Sequence, residues 1–300
     1  MAANRQWRLR RRPRGAVVAD DLEWVESTLP PLADGQVRVR NLLLSLDPTN
    51  RLWMSEREQY LPPVGLGETM RGGVLGVVED SRSERFAPGE LVMPAMGAWE
   101  SYTQADAAQL HRVRREPGLP LTAQLSVLGA TGVTAYFGML DIGRPKAGET
   151  VVVSAAAGAV GSVAGQIAKL HGCRVIGIAG GPQKCAWLTD ALGFDGAIDY
   201  KREDPGAALA RLCPEGVDVY FENVGGRIFD AVMPHLNRFA RVPLCGLIAS
   251  YNDDGPVPGP AHFDRVLMRR LRIEGFIVLD YLPRFAEAQA ALAGWVREGR

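Results

Sequence analysis

The second half of the chain alternates short apolar runs with longer segments in which apolar residues recur every three or four positions. The clearest run is Val151–Val153, whose three β-branched residues are typical of a strand that is buried on both faces. After a turn of small residues, apolar positions recur at helical spacing over Ala159–His171. This pattern predicts a parallel strand, a tight turn and a helix.

Similar runs predict six strands separated by helices. The predicted strands are Val151–Ser154, Arg174–Ala179, Ala197–Tyr200, Val217–Glu222, Arg241–Gly246 and Arg272–Val278. The predicted helices are Ala159–His171, Pro182–Leu192, Pro205–Cys213, Gly226–Leu236, His262–Leu271 and Pro283–Glu298. Strands joined by helical crossovers are typical of a doubly wound parallel sheet, so the predicted fold class is α/β.

The first half has shorter apolar stretches, broken by turns rich in glycine and proline. Stretches such as Gln36–Leu46, Gly73–Val78 and Leu91–Pro94 predict short strands in a mostly β lobe. The pattern changes near Leu121, so we predict two domains, residues 1–120 and 121–300. Several large apolar residues of the first half fit either its core or the wall of an apolar pocket, and the core is favoured: Trp53, Met54, Met70, Trp99 and Tyr102.

The turn after the first strand of the predicted sheet carries a dinucleotide-binding pattern. In a G-x-G-x-x-G frame the three positions are Ala156, Gly158 and Gly161, so alanine replaces the first glycine. Gly158 would let the backbone approach a pyrophosphate, and Gly161 would let the helix pack closely on the strand. The free N–H groups at the helix start favour an anion. Taken alone, the pattern also fits an ordinary strand-to-helix turn.

The end of the second predicted strand bears on the choice of cofactor. NAD-binding units carry an acidic residue there for the ribose diol, whereas this strand ends in Ala179-Gly180-Gly181. Lys184 follows three residues later, and Tyr200 closes the third strand. A missing carboxylate and a nearby cation suit a ribose that bears a 2′-phosphate, so NADPH is favoured over NADH. The alternative is that Lys184 is simply a solvated helix residue.

Composition excludes several classes of partner and site. The 300 residues include 34 basic and 34 acidic ones, which predicts neither a nucleic-acid nor a membrane-surface partner. No apolar run approaches the roughly 20 residues that a membrane span needs. The four cysteines form no C-x-x-C motif and lack a histidine at metal-ligand spacing. We therefore expect no metal site and a reducing, cytoplasmic location.

Several segments together resemble the zinc-independent branch of the medium-chain dehydrogenase/reductases. The most similar group is the leukotriene B4 12-hydroxydehydrogenase/prostaglandin reductase type, with its alkenal and curcumin reductase relatives. The segments lie along the whole chain: NRQW (4–7), LSLDPTNRLWM (44–54), MRGGVLGVVE (70–79), GATGVTAYFGML (129–140), AAAGAVGSVAGQIAK (155–169), GGPQKCAWL (180–188), IDYK (198–201), FENVGG (221–226) and CGLIASYN (245–252).

The resemblance implies a GroES-like substrate lobe and a Rossmann lobe that binds NADPH. It also implies reduction of the carbon–carbon double bond of α,β-unsaturated aldehydes and ketones, by a homodimer. Carried over by position, the pyrophosphate would be held by Gly158, Ala159, Val160 and Gly161, and the 2′-phosphate by Lys184 and Tyr200. The implied contacts to the ribose and nicotinamide come from Thr134, Asn223, Cys245, Gly246, Ile248, Phe276, Ile277 and Val278.

Tyr251 is the predicted polar group of the reaction. It follows the end of the fifth strand, where open α/β sheets bind ligands, and the resemblance implies that its hydroxyl orients the substrate or donates a hydrogen bond to the enolate. The alternative is a loop tyrosine that packs beside residues 252–255.

Two departures from the family pattern keep other functions open. Thr49-Asn50 stands where many relatives carry an aromatic residue after Asp-Pro, which leaves the substrate specificity open. Family members also continue for a few dozen residues beyond the position of Arg300, so a chain complete at Arg300 is expected to lack a closing segment of the β lobe. The alternatives to the double-bond reductase are an NADPH quinone reductase of the same superfamily and, because of the short C-terminus, a non-catalytic NADPH-binding protein.

Overall fold

The computed structural model describes residues 3–300, which form two compact units. The first unit comprises the residues up to Leu125 together with Tyr251–Asp254. The second comprises Ser126–Ser250 and Gly255–Arg300. None of the helices within residues 3–300 is long and apolar enough to cross a membrane.

The first unit is mostly β structure. Its strands are β1 (Ala3–Leu9), β2 (Leu22–Thr28), β3 (Gln36–Leu44), β4 (Arg71–Gly72), β5 (Val74–Ser81), β6 (Leu91–Pro94), β7 (Gly97–Ala98), β8 (Tyr102–Asp106) and β9 (Leu110–Arg112), with a short helix α1 (Thr49–Trp53). An antiparallel sheet of five strands has the order β8-β3-β5-β6-β9. The pairs β1-β2 and β4-β7 form two smaller antiparallel sheets.

Alternating residues of the antiparallel sheet build one core of the first unit. Val37 and Val39 of β3 are fully buried and pack with Val78 and Val92. A second cluster contains Trp53, Met54 and Met70, all of them buried, and Trp99 packs against it. Trp53, Met54 and Met70 are therefore core residues, as the hydrophobic pattern favoured, whereas Trp99 and Tyr102 are half-buried.

The second unit alternates strands and helices. Its strands are β10 (Thr150–Ser154), β11 (Arg174–Ala179), β12 (Gly196–Asp199), β13 (Val217–Phe221), β14 (Leu236–Leu244) and β15 (Arg272–Gly275). Its helices are α2 (Ala130–Phe137), α3 (Ala159–Leu170), α4 (Pro182–Ala186), α5 (Pro205–Leu212), α6 (Gly226–Val232), α7 (Asp264–Arg269) and α8 (Phe285–Arg297).

All six strands of the second unit are parallel and have the order β12-β11-β10-β13-β14-β15. Every residue of β10 is buried, which explains the unbroken β-branched run Val151–Val153. The strand order reverses between β10 and β13, and ligands of doubly wound sheets bind at the carboxyl ends of the strands beside such a point. The predicted α/β fold with a doubly wound sheet is confirmed.

The structure corrects several predicted boundaries. The predicted helix 182–192 is α4 followed by a π-helical turn over Trp187–Ala191, and helix 226–236 ends in a 3-10 turn that contains Pro234. β14 begins five residues earlier than predicted, because Leu236 pairs with Val217 before an irregularity that includes Phe239 at φ 63°. β15 ends at Gly275, so Phe276 and Ile277 lie in a loop and Val278 begins a 3-10 helix.

Candidate active site

The turn from β10 to α3 has the close packing that the glycine pattern predicts. Gly158 is the N-cap residue of α3, and its N–H donates to the Ala155 carbonyl at 2.8 Å. A Cβ atom on Gly161 would lie 2.4 Å from that same carbonyl oxygen, a distance that no side chain tolerates. Glycine at position 161 therefore lets α3 begin directly against the end of β10.

This turn can accept an anion. Gly158 and Ala159 are exposed, and Val160 is half-buried. Because Gly158 has no side chain, it does not cap the first N–H groups of α3, which remain directed out of the helix end. Exposed N–H groups at the start of a twelve-residue helix suit a pyrophosphate. Gly158, Ala159, Val160 and Gly161 thus lie in one continuous cradle.

A second part of the site surrounds the Gly180-Gly181 turn after β11. Tyr200 follows β12 directly, and its hydroxyl oxygen lies only 2.9 Å from where a Cβ of Gly180 would be. Lys184 is exposed on α4, three residues beyond the turn. A phenolic hydroxyl and a lysine near one glycine turn are groups that suit a phosphate monoester.

Sequence reasoning missed three residues at this turn. The Asp199 carboxylate accepts hydrogen bonds from the Gly181 and Lys201 N–H groups at 2.9 and 3.1 Å, and these bonds, the one from Gly181 first, lower the pKa of Asp199. The Lys201 side chain also borders Gly180, and the Arg227 guanidinium lies 5.7 Å from the centre of the Tyr200 ring. The run Asp199-Tyr200-Lys201 directly after a strand was the available signal.

Asn223 lies at the carboxyl end of β13, beside the end of β10. Its side-chain amide donates to the Ser154 carbonyl at 2.7 Å, and its backbone N–H donates to the Ser154 hydroxyl at 2.8 Å. The preceding residue, Glu222, is fully buried. Ser154 and Glu222 were also missed, although a carboxylate at the end of a buried strand in FENVGG was visible in the sequence.

The segment after β14 runs along the turn that contains Asn223. The Cys245 and Gly246 N–H groups donate to the Glu222 carbonyl at 2.8 and 3.2 Å, and the Ile248 N–H donates to the Asn223 carbonyl at 3.2 Å. Burial, with a smaller contribution from the charge of Glu222, raises the pKa of the Cys245 thiol to about 12. That thiol is therefore protonated at neutral pH and is not a nucleophile. Ile248 is exposed.

The remaining candidates lie on other segments. The Thr134 hydroxyl donates to the Ala130 carbonyl within α2 at 2.7 Å. The Phe276 ring packs on Gly138, where a Cβ would come within 2.5 Å of it, while Ile277 and Val278 are half-buried. Tyr251 is half-buried and belongs to the first unit. Among residues 3–300, no cluster of three or more His, Cys, Asp or Glu side chains is arranged to hold a metal ion.

Comparisons with known proteins identify the family. A family model described as the N-terminal domain of oxidoreductases matches residues 5–113, and one described as zinc-binding dehydrogenase matches residues 159–294. The chain is 44% identical to the NADPH-dependent curcumin reductase of Escherichia coli, over 99% of this chain and 87% of that protein. The chain belongs to the medium-chain dehydrogenase/reductases.

Other members of the medium-chain dehydrogenase/reductase family are similar over the same length. Mouse prostaglandin reductase 1 is 40% identical over 100% of this chain and 90% of that protein. The crystal structure of CurA from Vibrio vulnificus in complex with NADPH is 46% identical, covers 98% of this chain and 88% of that one, and has a TM-score of 0.92. The GroES-like and Rossmann lobes implied by the sequence are confirmed by this likeness.

Proposed function

We propose that this protein is an NADPH-dependent oxidoreductase that reduces the carbon–carbon double bond of α,β-unsaturated aldehydes and ketones. One observation carries the proposal: the chain is 44% identical over 99% of its length to a protein named NADPH-dependent curcumin reductase. The glycine cradle at Gly158–Gly161 and the polar groups around Gly180 agree with a dinucleotide that bears an additional phosphate.

Each part of the cofactor would be held by a different set of residues in the second unit. Gly158, Ala159, Val160 and Gly161 would hold the pyrophosphate. Lys184 and Tyr200 would hold the 2′-phosphate, and Lys201 and Arg227 add positive charge near Tyr200. The residues proposed for the ribose and nicotinamide are Thr134, Asn223, Cys245, Gly246, Ile248, Phe276, Ile277 and Val278.

The chemistry requires orientation and hydrogen-bond donors rather than a metal. When bound, NADPH supplies the hydride that adds to the β-carbon of the substrate. Negative charge then develops on the substrate's carbonyl oxygen, and a donor aimed at that oxygen stabilises the transition state. A proton from water then adds to the α-carbon and completes the reduction. We propose the Tyr251 hydroxyl as this donor, because the resemblance assigns it that role. A neutral hydroxyl can donate this hydrogen bond, so the reaction needs no acid with a raised pKa at this position.

The direct test is NADPH oxidation by the purified 300-residue chain. We expect turnover with trans-2-nonenal, little turnover with a simple quinone, and a clear preference for NADPH over NADH. Faster turnover of the quinone would favour the quinone reductase alternative. Binding of NADPH without oxidation of it by either acceptor would favour the non-catalytic alternative.

The role of Tyr251 is tested by Tyr251→Phe, which removes only the hydroxyl oxygen. We expect kcat/KM for the enal to fall by about tenfold, the usual scale for one lost transition-state hydrogen bond, with no change in the Kd of NADPH. Tyr102→Phe, at a half-buried tyrosine on β8 of the same unit, is the matched control. Equal kinetics in Tyr251→Phe and wild type would remove Tyr251 from the mechanism.

We further propose a cytoplasmic homodimer. Within residues 3–300, the edge strand β15 pairs with β14 along one side only, which leaves backbone groups able to join a second sheet. All four cysteines are free thiols, as a reducing compartment requires. Light scattering is expected to give twice the mass of the chain, and cell fractionation is expected to recover the protein with the cytoplasm. A monomer at micromolar concentration would contradict the first part.

A further inference from the structure

The proposed mechanism gives no role to the buried carboxyl group of Glu222. Glu222 directly follows β13 and is 0% exposed, although glutamate is rarely buried unless it is paired. No lysine, arginine or histidine within residues 3–300 forms an ion pair with it. Its carboxyl group instead accepts hydrogen bonds from the Val224 and Gly225 N–H groups through one oxygen, and meets the Ser154 hydroxyl at 3.3 Å through the other.

These contacts tie together two neighbouring loops at the carboxyl edge of the sheet. Ser154 is the last residue of β10, immediately before the glycine cradle. Its hydroxyl accepts the Asn223 N–H at 2.8 Å, and its carbonyl accepts the Asn223 side-chain amide at 2.7 Å. The Glu222 carboxyl group and the Phe221 carbonyl, at 3.3 and 3.4 Å, are thus the two acceptors for the Ser154 hydroxyl, and Ser154 in turn holds both the backbone and the side chain of Asn223.

The same turn also supports the segment after β14. Three successive carbonyls, those of Glu222, Asn223 and Val224, accept the N–H groups of Cys245, Ile248 and Ala249 at 2.8, 3.2 and 2.9 Å. Gly225 has φ +76°, and a Cβ there would lie 2.8 Å from the Leu247 side chain. Any movement of the 222–226 turn would therefore move residues 245–249 as well.

We propose that Glu222 is a positioning residue for NADPH, whose buried carboxyl group fixes Asn223 and residues 245–249 in the arrangement that the cofactor requires. The inference rests on the proposed function, because it needs Asn223 to contact the cofactor. Glu222 itself has no exposed surface and acts only through these neighbours. One of its oxygens accepts two N–H groups and the other meets a hydroxyl. The role of Glu222 therefore depends on the geometry of these contacts rather than on its charge.

Two substitutions separate geometry from charge. In Glu222→Gln the amide oxygen can still accept the Val224 and Gly225 N–H groups, while the amide nitrogen can donate to the Ser154 hydroxyl. In Glu222→Ala both contacts disappear and the two N–H groups lose their acceptor. We expect Glu222→Ala to raise the Kd of NADPH at least tenfold, whereas Glu222→Gln stays within about threefold of wild type.

The experiment measures NADPH binding by fluorescence titration and, separately, the melting temperature without cofactor. The matched control is Glu149→Ala, which removes a mostly buried carboxylate just before β10, at the opposite edge of the same sheet. We expect Glu149→Ala to lower the melting temperature as Glu222→Ala does, but to leave the Kd of NADPH within twofold of wild type. Ser154→Ala, which removes the bridging hydroxyl, is expected to weaken binding by severalfold and replaces Glu222→Ala if that variant does not fold.

Each of the following results would overturn the inference. Wild-type affinity in Glu222→Ala or, if it is used instead, in Ser154→Ala would overturn the inference and leave Glu222 a stabilising group only. Equal loss of binding in Glu222→Gln and Glu222→Ala would also overturn it, because the charge rather than the geometry would then matter. If wild-type protein itself fails to bind NADPH, the proposed function fails and the inference fails with it.

Discussion

Two glutamates at opposite edges of the parallel sheet show how differently the two edges are built. Glu149, just before β10, forms a two-point ion pair with Arg241, with N–O distances of 3.0 and 2.6 Å. Arg241 also donates to the carbonyls of Gly143 and Arg144. Glu222, just after β13, is more deeply buried, and its carboxyl group accepts hydrogen bonds from two backbone N–H groups and a hydroxyl.

The pKa values of the two groups shift in opposite directions. Burial by itself would raise the pKa of Glu149, but the hydrogen bonds from Arg241 and from the Lys146 N–H, with the nearby positive charges, lower it below its ordinary value. Burial raises the pKa of Glu222 to about 7, because its hydrogen bonds offset only part of the desolvation. At the edge where the strands begin, Glu149 and Arg241 neutralise each other. At the edge where the strands end, polar groups and glycines remain that a ligand can use.

The largest expected effect comes from a glycine at the carboxyl edge. In Gly161→Ala the new Cβ would meet the Ala155 carbonyl oxygen at 2.4 Å, so α3 must move away from β10. We expect a loss of about 3 kcal/mol in stability and at least a tenfold rise in the Kd of NADPH. Gly143→Ala is the control at the edge where the strands begin, because its Cβ would lie 3.2 Å from the Val219 side chain and 3.4 Å from the Gly138 carbonyl oxygen and the Met139 sulfur, so it makes no contact as short as 2.4 Å. If both variants bind NADPH equally well, the cradle does not need Gly161.

The next effect is a pH dependence that should differ between the two glutamates. The pKa of Glu222 is raised on folding from 4.5 to about 7, so the folded protein holds this proton more tightly. Its contribution to stability is therefore complete below about pH 4.5 and is lost as the pH rises through about 7, by about 3 kcal/mol in all.

The measurement compares melting temperatures of wild type and variants from pH 5 to pH 8. Glu222→Gln cannot titrate, so its melting temperature should gain several degrees relative to wild type as the pH rises. For Glu149, whose pKa is lowered, the contribution is present above its ordinary pKa and is lost only in acid. The difference between Glu149→Gln and wild type should therefore stay constant over this range. A flat difference for Glu222→Gln would contradict the raised pKa.

The smallest effect concerns the 2′-phosphate. Lys184→Ala removes an exposed cation beside the Gly180-Gly181 turn, and we expect kcat/KM for NADPH to fall by about tenfold, or about 1.4 kcal/mol, with the value for NADH unchanged. Lys169→Ala is the control, since Lys169 lies in the last turn of α3 and pairs with Asp195 at 2.8 Å. Equal losses with NADPH and NADH would show that Lys184 does not read the phosphate.

The sequence predicted strand boundaries best where a strand is buried on both faces of the sheet. β11 was predicted with its observed bounds, and β10 and β13 to within one residue at either end, because fully buried parallel strands need continuous β-branched or aromatic residues. Predicted boundaries failed at β14 and β15, where Leu236 joins the sheet across an irregularity and Gly275 ends the last strand. An irregularity in the pairing interrupts the regular alternation of a strand, so the pattern of apolar residues does not mark where such a strand begins.

The sequence by itself determined the doubly wound sheet, the glycine turn and the preference for a phosphate-bearing cofactor. These follow from periodicity, from glycine spacing and from the absence of an acid after β11, all of which are local properties. Only the tertiary structure decided which side chains meet across loops. Ser154 and Asn223 are 69 residues apart yet hydrogen bonded, and Glu222 has its unusual environment because β10, β13 and β14 end side by side. Burial and hydrogen bonding between distant segments exist only once the sheet has formed.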